Sequence, residues 1–589
     1  MDTDTKPSDT QLLDQQAQAI WARMWSSISQ ESRLLAWTDW ISHLAISPGK
    51  RLELLRLAAV HNQLLQAYLR QYFSAHPDQA EQNAEGAGEQ APILPCSGDR
   101  RFQDPAWQQW PFNVWHQSFL MTQNWWEHAA RNVWGVSPHH EAKVAFDIRQ
   151  WLDVFSPSNW LLSNPVVLQR TQQELGANLL RGMQYFAEDV QKKITGQSPA
   201  GAENFVVGRD VGITPGKVVL RNPLMELIQY APTTDKVHPE PILIVPAWIM
   251  KYYILDLSPH NSLIKYLVDQ GHTVFCISWK NPGPAERDLG MRDYLEQGFF
   301  AALDAINAIV PQRKIHATGY CLGGTLLAIA AAAMARDADD RLASISLFTA
   351  QTDFTEPGEL SLYIDQSQVA MLEAQMAQTG YLDGEQMSGA FQMLRTNDLL
   401  WSRMLNEYLL GERRPMNDLM AWNADLTRMP ERMHSEYLRK LFLKDELSEG
   451  RYMVGDRPVA LSDVSVPIFS VATVSDHVAP WRSVHKLHYL TPAEIHFVLT
   501  NGGHNAGIVS EPGRPRRNYQ ALTRAAGGKY LAPTEWLQQA PRHEGSWWPE
   551  WQAWLQARSG APLRPPRMGA AGKGYKALCD APGTYVLEK

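Results

Sequence analysis

The spacing of apolar residues changes character near residue 205. Upstream of it, apolar residues recur every three or four positions, which places them on one face of an α-helix. This spacing predicts four helical segments, Leu12–Ile28, Leu52–Phe73, Phe119–Val133 and Val167–Val190. We therefore expect a mainly helical N-terminal domain over residues 1–200. The polar, aperiodic stretch at residues 74–98 predicts a linker or loop within it.

Downstream of residue 205, short β-branched and aliphatic runs alternate with helical segments. Gly, Pro or Asp residues bound these runs, as they commonly bound strands. The runs predict eight strands, Val218–Leu220, Met225–Tyr230, Ile242–Val245, Thr273–Ile277, Ile315–Thr318, Ser344–Thr349, Ile468–Val471 and Ile495–Leu499. Because strands and helices alternate, we expect an α/β catalytic domain over residues 201–589 with a mostly parallel sheet.

A long interruption separates the sixth predicted strand from the seventh. The stretch between Thr349 and Ile468 is rich in Met, Leu, Tyr and acidic residues. It far exceeds the ~12–15 residues usual for an unstructured connection. The sequence therefore predicts an inserted cap, or lid, subdomain at about residues 351–463.

A compact glycine-rich motif follows the fifth predicted strand. The residues Gly319-Tyr320-Cys321-Leu322-Gly323-Gly324 lie between the strand-forming KIHAT and the helix-forming TLLAIAAAAMAR. Glycine, any residue, nucleophile, any residue, glycine is the pattern of the nucleophile elbow, with Cys321 where hydrolases usually carry Ser. For this motif taken alone, a buried cysteine beside an ordinary glycine turn is the alternative.

Two further residues complete a candidate catalytic triad. Asp476 follows the seventh predicted strand and His504 follows the eighth. Either residue alone is more often a helix cap or a surface residue. Nucleophile, acid and histidine nevertheless occur in the chain order of the α/β-hydrolase triad, each beyond a strand's carboxyl end. We therefore expect an α/β-hydrolase fold in which His504 takes the proton of Cys321 and Asp476 orients the imidazole.

The same motif indicates how a negatively charged intermediate is held. The backbone N–H of Leu322 is one expected oxyanion donor. The second comes from the loop after Ile242–Val245, from Ala247 or Trp248, and the sequence leaves both open. A cysteine favours acyl transfer, because a thiolate that attacks a thioester forms another thioester of similar energy.

Composition argues against several other classes of function. The chain has 589 residues and a formal charge of −8, so nucleic acid is not expected as a main partner. The four cysteines, Cys96, Cys276, Cys321 and Cys579, are far apart and lack metal-ligand spacing, so we expect neither disulfides nor a metal site. Without a secretory signal or an apolar span of ~20 residues, we expect a cytoplasmic protein with no transmembrane segment.

Seven motifs together resemble the class I polyhydroxyalkanoate synthases, which polymerise short (R)-3-hydroxyacyl-CoA thioesters. They are GYCLGG at 319–324, the run from Val245 to Pro282, LRTNDLLW at 394–401, AWNAD at 421–425, SDHVAPW at 475–481, GGHNAG at 502–507 and GSWWPEW at 545–551. The resemblance covers roughly residues 100–589. Leu322 stands where synthases with a medium-chain preference tend to have Ser, which favours class I.

The resemblance implies that Cys321, Asp476 and His504 are catalytic. It implies a cycle in which Cys321 accepts a 3-hydroxyacyl group from CoA and a hydroxyl then attacks the thioester. In the family, Asp is often assigned to activating that hydroxyl and His to activating the thiol. The resemblance also implies a homodimer, a mobile cap over the active-site entrance and a cytoplasmic location at polyester granules. Coenzyme A enters as the substrate thioester, and no cofactor is expected.

Four further residues are candidate substrate contacts. Arg395 is a candidate for binding a CoA phosphate, and an ion pair with Asp398 is its alternative. His477 either contacts substrate or packs and caps its own loop. Trp422 and Tyr437 either line an acyl channel or belong to the core of the cap.

Two other functions stay open at this point. A Cys-dependent esterase, thioesterase or polyester depolymerase would use water to resolve the acyl-enzyme. A non-catalytic granule-surface protein would adhere through the N-terminal region, where 12 of the 22 tryptophans lie within the first 160 residues. Because Trp suits a surface that is apolar on one side and wet on the other, we hypothesise that this region mediates dimer or granule contact. Burial of these tryptophans in the domain's own core is the alternative.

Overall fold

The computed structural model describes residues 10, 14, 17, 28–75, 91–95, 99–394 and 400–589, with backbone alone at 75 and 390–394. Most of the predicted helix Leu12–Ile28 and of the predicted linker at 74–98 lies outside the described residues. Contacts divide the chain into two units. The catalytic unit contains Gly201–Ala390 and Met416–Lys589, and the helical unit contains Ile28–Ala200 and Phe391–Pro415.

An eleven-stranded sheet runs through the catalytic unit in the order β14-β13-β12-β11-β6-β5-β3-β4-β2-β1-β15. These strands are β1 Gly216–Arg221, β2 Met225–Tyr230, β3 Ile242–Val245, β4 Val274–Trp279, β5 Ile315–Tyr320, β6 Leu342–Phe348, β11 Ile468–Thr473, β12 Ile495–Thr500, β13 Asn518–Arg524, β14 Arg542–Glu544 and β15 Cys579–Asp580. Two separate two-stranded pairs are β7 Tyr381–Leu382 with β8 Met429–Pro430, and β9 Met453–Val454 with β10 Arg457–Pro458.

All eight predicted strands are present, so the expected α/β-hydrolase fold is confirmed. Strands β4, β3, β5, β6, β11 and β12 run parallel to their neighbours within this group, and the flanking pairs are antiparallel. Every residue of β3, β4, β5 and β11 is buried. Strands covered by helices on both faces need apolar residues on both faces, which explains the unbroken apolar run Ile242–Val245 of β3.

Helices cover this sheet on both sides. The α-helices of the catalytic unit are Leu263–Asp269, Met291–Asp293, Ala301–Ile309, Leu322–Arg336, Gln366–Thr379, Gly384–Leu394, Asp418–Ala424, Glu431–Glu436, Trp481–His485, Leu487–Leu490, Pro533–Gln539 and Trp548–Gln556. The helix Leu322–Arg336 is almost wholly buried, and its small alanine side chains allow the close packing that such a central position requires.

The C-terminal tryptophans lie in the core of the catalytic unit. The indole N–H of Trp547 donates to the carbonyl of Gly507 at 3.0 Å, and that of Trp551 donates to Ser346 Oγ at 2.9 Å. Trp547 and Trp548 are at most 1% exposed. The Trp547-Trp548 pair therefore packs the C-terminal segment against the sheet.

The helical unit contains six α-helices within the described ranges, and several of them share a hydrophobic core. They are Gln30–Ala45, Pro48–Ala75, Phe112–Ala130, Pro138–Phe155, Pro165–Gln173 and Ala177–Ile194. The predicted helix Val167–Val190 is two helices, because Gly176 adopts a left-handed φ of 86° between them. No helix of the described ranges has the length and apolar character needed to cross a membrane.

Part of the cap insertion belongs to the helical unit. The segment Phe391–Pro415 groups with the N-terminal helices rather than with the sheet. Tyr408 donates its hydroxyl to Asp189 at 2.9 Å, and Arg413 pairs with Glu188 at 2.7 Å and with Asp189 at 2.9 Å. These contacts join positions more than 200 residues apart, so the structure divides the chain differently from domains of residues 1–200 and 201–589.

We expect Gly182→Ala to destabilise the helical unit. A Cβ at residue 182 would lie 1.9 Å from the carbonyl oxygen of Tyr408, and such overpacking typically costs about 1–3 kcal/mol of unfolding free energy. Chemical denaturation followed by circular dichroism measures the change. Gly49→Ala is the matched control, because a Cβ there meets nothing within 4 Å. Equal stability of the two variants would contradict this packing.

Candidate active site

Cys321 lies at a sharp turn between β5 and the helix Leu322–Arg336. Its backbone has φ 53° and ψ −125°, and its N–H donates to the carbonyl of Phe348 at 2.9 Å. A Cβ on Gly323 would lie 2.2 Å from the carbonyl oxygen of Val245, and one on Gly319 would lie 2.4 Å from Cα of Gly324. Glycines are therefore required on both sides of the nucleophile, because strand, helix and β3 approach one another by backbone contact.

Asp476 and His504 lie beyond the carboxyl ends of β11 and β12 and contact each other. Nδ1 of His504 is 2.8 Å from Oδ2 of Asp476. The Asp476 side chain is 0% exposed. Its Oδ2 also accepts from the hydroxyl of Thr473 at 3.0 Å, and its Oδ1 accepts the backbone N–H groups of Val478 at 2.9 Å and Ala479 at 2.8 Å. Both carboxylate oxygens are thus used to hold the acid against His504.

The electrostatics of this pair favour a protonated imidazole. Burial alone would lower the pKa of His504, but the charges of Asp476 and Cys321, with hydrogen bonds to both, raise that pKa well above its usual value. For Asp476, burial alone would raise the pKa. The charge of His504, its hydrogen bond to Asp476 and the hydrogen bonds from two backbone N–H groups outweigh burial, so the pKa is lowered. His504 therefore contacts a carboxylate whose lowered pKa favours its ionised form.

The loop after β3 is fixed beside the nucleophile. The indole N–H of Trp279 donates to the carbonyl of Pro246 at 2.8 Å, and the hydroxyl of Thr427 donates to the carbonyl of Trp248 at 3.1 Å. The N–H of Leu322 lies in the first turn of its helix, where no intrahelical acceptor exists. Within the described part of the chain, no acceptor is found for the N–H groups of Ala247 or Trp248. Both stay candidates for the second oxyanion donor.

A buried lysine that sequence reasoning missed anchors the end of this loop. Lys251 is 4% exposed, and its ammonium donates to the carbonyls of Val586 at 2.8 Å and Glu588 at 2.5 Å. Its own carbonyl accepts the indole N–H of Trp422 at 2.7 Å. Burial lowers the pKa of Lys251, and the charge of Asp425 partly offsets this. The one available signal was a charge inside the apolar run WIMKYYIL.

The aromatic candidates of the cap occupy different places. Trp422 is 3% exposed and packs in the core, where its indole N–H donates to the backbone carbonyl of Lys251. Tyr437 is partly buried against Phe354 and Phe442. Burial, and then the charge of Cys321, raise the pKa of Tyr437, which places its hydroxyl within electrostatic range of the nucleophile. Trp422 thus contacts Lys251, and the acyl-channel role of Tyr437 stays a prediction.

The two polar candidates, Arg395 and His477, stay predictions. His477 is partly exposed, and its backbone carbonyl lies against Gly358. Arg395 and its alternative partner Asp398 lie outside the described residues. Sequence reasoning also missed Tyr320, whose hydroxyl donates to Asn505 Oδ1 at 2.6 Å and whose ring centroid is 5.8 Å from that of His504. Tyr320 is the variable second residue of the elbow motif, so no sequence signal indicated that its side chain lies beside His504.

No group of three or more His, Cys, Asp or Glu side chains has a metal-binding arrangement in the ranges that the structure describes. A cysteine at a strand-to-helix elbow, with His and Asp beyond the neighbouring strands, defines the class of protein as an α/β-hydrolase-fold enzyme with cysteine at the nucleophile position.

Known proteins specify the family within this class. The family model "Poly-beta-hydroxybutyrate polymerase (PhaC) N-terminus" matches residues 98–267, "Poly-beta-hydroxybutyrate polymerase N terminal" matches residues 8–50, and "alpha/beta hydrolase fold" matches residues 240–511. Poly(3-hydroxyalkanoate) polymerase of Methylorubrum extorquens is 42% identical over 513 residues, covering 86% of this chain and 83% of that protein. The PhaC subunit of the Cupriavidus necator polymerase is 33% identical over 579 residues, covering 97% and 94%.

The chain therefore belongs to the poly(3-hydroxyalkanoate) polymerase family. The members are acyltransferases, and the resemblance carried by the seven sequence motifs is confirmed.

We expect Asp476→Asn to lower the pKa of His504 and to slow catalysis. The substitution removes the negative charge that raises the pKa of His504, so the imidazole loses its proton at a lower pH. By analogy with the loss of the acid in serine triads, turnover falls by about two to four orders of magnitude. NMR of histidine-labelled protein measures the titration, and CoA release measures turnover.

Asp340→Asn is the control for this change, because its carboxylate is 86% exposed and pairs only with Lys314 among the described ion pairs. An unchanged His504 titration in the Asp476 variant would contradict the electrostatic coupling.

Proposed function

We propose that this protein polymerises (R)-3-hydroxyacyl-CoA into polyhydroxyalkanoate and releases CoA, through a covalent thioester on Cys321. The observation that carries the proposal is Cys321 at the strand-to-helix elbow, with His504 hydrogen-bonded to Asp476 beyond neighbouring strands of the same sheet. Family membership supplies the polymerase activity. Nucleophile, base and acid are all side chains of this chain, so the proposal assigns no cofactor, and coenzyme A enters as part of the substrate.

Acyl loading begins with proton transfer from the thiol of Cys321 to Nε2 of His504. The sulfur then attacks the thioester carbonyl of 3-hydroxyacyl-CoA, and the backbone N–H of Leu322 with a second N–H from the loop after β3 stabilises the oxyanion. The intermediate collapses by breaking the bond to the CoA sulfur, which takes the proton from His504. The products are free CoA and a 3-hydroxyacyl group bound to Cys321.

In chain growth, His504 returns a proton to Cys321 instead of taking one from it. A 3-hydroxyl group gives its proton to His504 as its oxygen attacks the thioester on Cys321. An ester bond forms, the carbon–sulfur bond breaks, and the thiolate of Cys321 recovers the proton. Each cycle adds one ester to the polymer and consumes one acyl-CoA.

The surroundings of Asp476 support an indirect role for this acid. Both of its oxygens already accept hydrogen bonds, and its side chain is 0% exposed. A substrate hydroxyl would have to displace one of these donors to reach it. We therefore assign activation of the thiol and of the hydroxyl to His504, with Asp476 acting through it. This differs from the division of labour that the family resemblance implies.

The aromatic wall near Cys321 supports a preference for short acyl groups such as 3-hydroxybutyryl. Tyr437 lies within electrostatic range of the nucleophile, and Phe354 and Phe442 pack against it with ring centroids 6.3 and 5.2 Å away. We propose that these rings line the acyl site and limit the length of side chain on the bound monomer. Leu322, in place of the Ser typical of medium-chain synthases, agrees with this preference.

We expect Cys321→Ala to abolish CoA release and polymer formation from (R)-3-hydroxybutyryl-CoA. The wild-type chain should release one CoA for each monomer added to insoluble polymer. Cys579→Ala is the matched control, since Cys579 is also partly exposed but lies on β15 at the far edge of the sheet. Release of CoA with only free 3-hydroxybutyrate as product would instead establish the esterase or thioesterase alternative.

The helical unit supports the proposed contact with the polyester granule. Trp40 and Trp107 are buried, but other tryptophans of this unit are exposed, namely Trp110 by 51%, Trp115 by 42%, Trp134 by 89%, Trp151 by 59% and Trp160 by 51%. Apolar rings in water favour adsorption to an apolar surface. We propose that this unit holds the protein at the granule in the cytoplasm. The homodimer stays a proposal that rests on the family resemblance.

We expect a Trp134→Gln/Trp151→Gln double variant to bind polyester granules less well. The substitutions remove two exposed rings while the unit's buried tryptophans stay intact. Co-sedimentation with purified poly(3-hydroxybutyrate) granules measures the bound fraction. The control is Met453→Gln/Leu578→Gln, which changes residues that are 47% and 43% exposed in the catalytic unit. Wild-type sedimentation of the tryptophan variant would reject this surface.

A further inference from the structure

Tyr320 is the last residue of β5 and the immediate neighbour of Cys321. Its backbone is fixed by the sheet, where it pairs with Phe348 at the end of β6. Tyr320 is 3% exposed and belongs to the buried core. Its ring therefore has a defined position next to the turn that carries the nucleophile.

The hydroxyl of Tyr320 reaches the loop that carries the histidine. It donates to Oδ1 of Asn505 at 2.6 Å, and Asn505 directly follows His504 in the chain. Burial, followed by the charges of Cys321 and Asp476, raises the pKa of Tyr320 well above its usual value. The hydroxyl therefore keeps its proton near neutral pH and stays a hydrogen-bond donor.

Contacts from other elements hold the backbone of this loop beyond the histidine. Arg517 donates to the carbonyl of Ala506 at 2.6 Å, and the indole N–H of Trp547 donates to the carbonyl of Gly507 at 3.0 Å. Neither contact involves the elbow at residues 319–324. The position of the loop relative to the nucleophile therefore depends on another contact.

Tyr320 supplies that contact. Apart from the reacting thiol and imidazole, its bond to Asn505 is the one side-chain hydrogen bond between residues 319–324 and residues 501–507 in the part of the chain that the structure describes. The ring centroid of Tyr320 also lies 5.8 Å from that of the imidazole. One side chain therefore borders the imidazole and bonds to the residue beside it.

The relative position of thiol and imidazole matters for the rate. A general base must lie within hydrogen-bond reach of the proton that it takes, and a misplacement of about 1 Å can cost about a hundredfold in rate. Asp476 holds Nδ1 of His504 at 2.8 Å. A contact at Nδ1 alone leaves the ring able to pivot, so a second constraint is needed on the chain that carries the ring. The bond to Asn505 supplies this constraint from the nucleophile's own strand.

We propose that Tyr320 is a positioning residue, which holds Asn505 and thereby sets the position of the His504 imidazole relative to the Cys321 thiol. This inference rests on the proposed function, in which His504 takes the proton of Cys321. The hydroxyl of Tyr320 is already used by Asn505, so Tyr320 acts through the loop rather than on the substrate.

The kinetics of Tyr320→Phe in the full-length chain test the proposal. The substitution keeps the ring and removes the hydroxyl, so kcat for CoA release from (R)-3-hydroxybutyryl-CoA falls about tenfold while KM changes by less than about twofold. Alkylation of Cys321 by iodoacetamide at pH 7, followed by mass spectrometry of its peptide, slows by a similar factor. Tyr519→Phe is the matched control with unchanged rates, because Tyr519 is 7% exposed in the same core and its hydroxyl donates to Glu550 at 3.4 Å.

A double-mutant cycle tests whether the hydroxyl acts through Asn505. Tyr320→Phe and Asn505→Ala should each slow the alkylation of Cys321. The double variant should be no slower than the slower single variant, because both substitutions remove the same hydrogen bond. Additive effects of the two substitutions would overturn the proposal.

The outcomes also separate this proposal from the proposed function. Turnover that survives Cys321→Ala rejects the nucleophile and the positioning role with it. If Cys321→Ala is inactive, a folded Tyr320→Phe variant with wild-type kcat and alkylation rejects the positioning role alone, even if its unfolding free energy is lower. Should Tyr320→Phe fail to fold, wild-type alkylation of Cys321 in Asn505→Ala overturns the proposal by itself.

Discussion

The left-handed turn at Cys321 is the constraint on which the active site depends. A non-glycine residue at φ 53° and ψ −125° is strained, typically by about 1–3 kcal/mol. That strain persists because the elements on either side are fixed by their burial. Strand β5 lies in the centre of the sheet, and the helix Leu322–Arg336 is packed in the core. The helix start can approach β3 closely only because residue 323 is glycine, and this approach brings the loop at Ala247 and Trp248 beside the nucleophile.

The acid of the triad is held by a different principle, hydrogen-bond saturation. Asp476 accepts from Thr473, Val478, Ala479 and His504, so its charge is stabilised without solvent and its orientation is fixed. A carboxylate of this kind stays ionised over the pH range in which His504 gains and loses its proton. In the proposed mechanism the imidazole can therefore serve both half-reactions from one position, first as the base for a thiol and then as the base for a hydroxyl. A single proton carrier would suffice for a cycle whose two steps exchange one acyl group.

Sequence patterns predicted the parts of the molecule that are governed by local rules. The central strands are buried, so apolar residues marked strands such as Ile242–Val245, and the chain order of Cys321, Asp476 and His504 predicted the contact of His504 with Asp476 that the structure contains. Strands β13 to β15 were not predicted, because strands at or next to the sheet edges, such as Asn518–Arg524, carry polar residues and give no apolar run. The attachment of Phe391–Pro415 to the helical unit depends on ion pairs such as Arg413 with Glu188, which no local pattern encodes. Trp422 and Tyr437 have the same aromatic signature in sequence, and only long-range packing distinguishes the core residue from the one near Cys321.

The loop after β3 shows how distant segments converge on the oxyanion. Its first residues touch the elbow through Val245 and Gly323, its middle bonds to the cap through Trp248 and Thr427, and its end is anchored by Lys251 to residues 586 and 588. Burying an ammonium is unfavourable unless its hydrogen bonds are made. The bonds of Lys251 therefore hold the loop and the C-terminal residues against each other. Because the cap contributes one of these three attachments, breaking the Thr427 bond would release the backbone of Trp248, one of the two candidates for the second oxyanion donor.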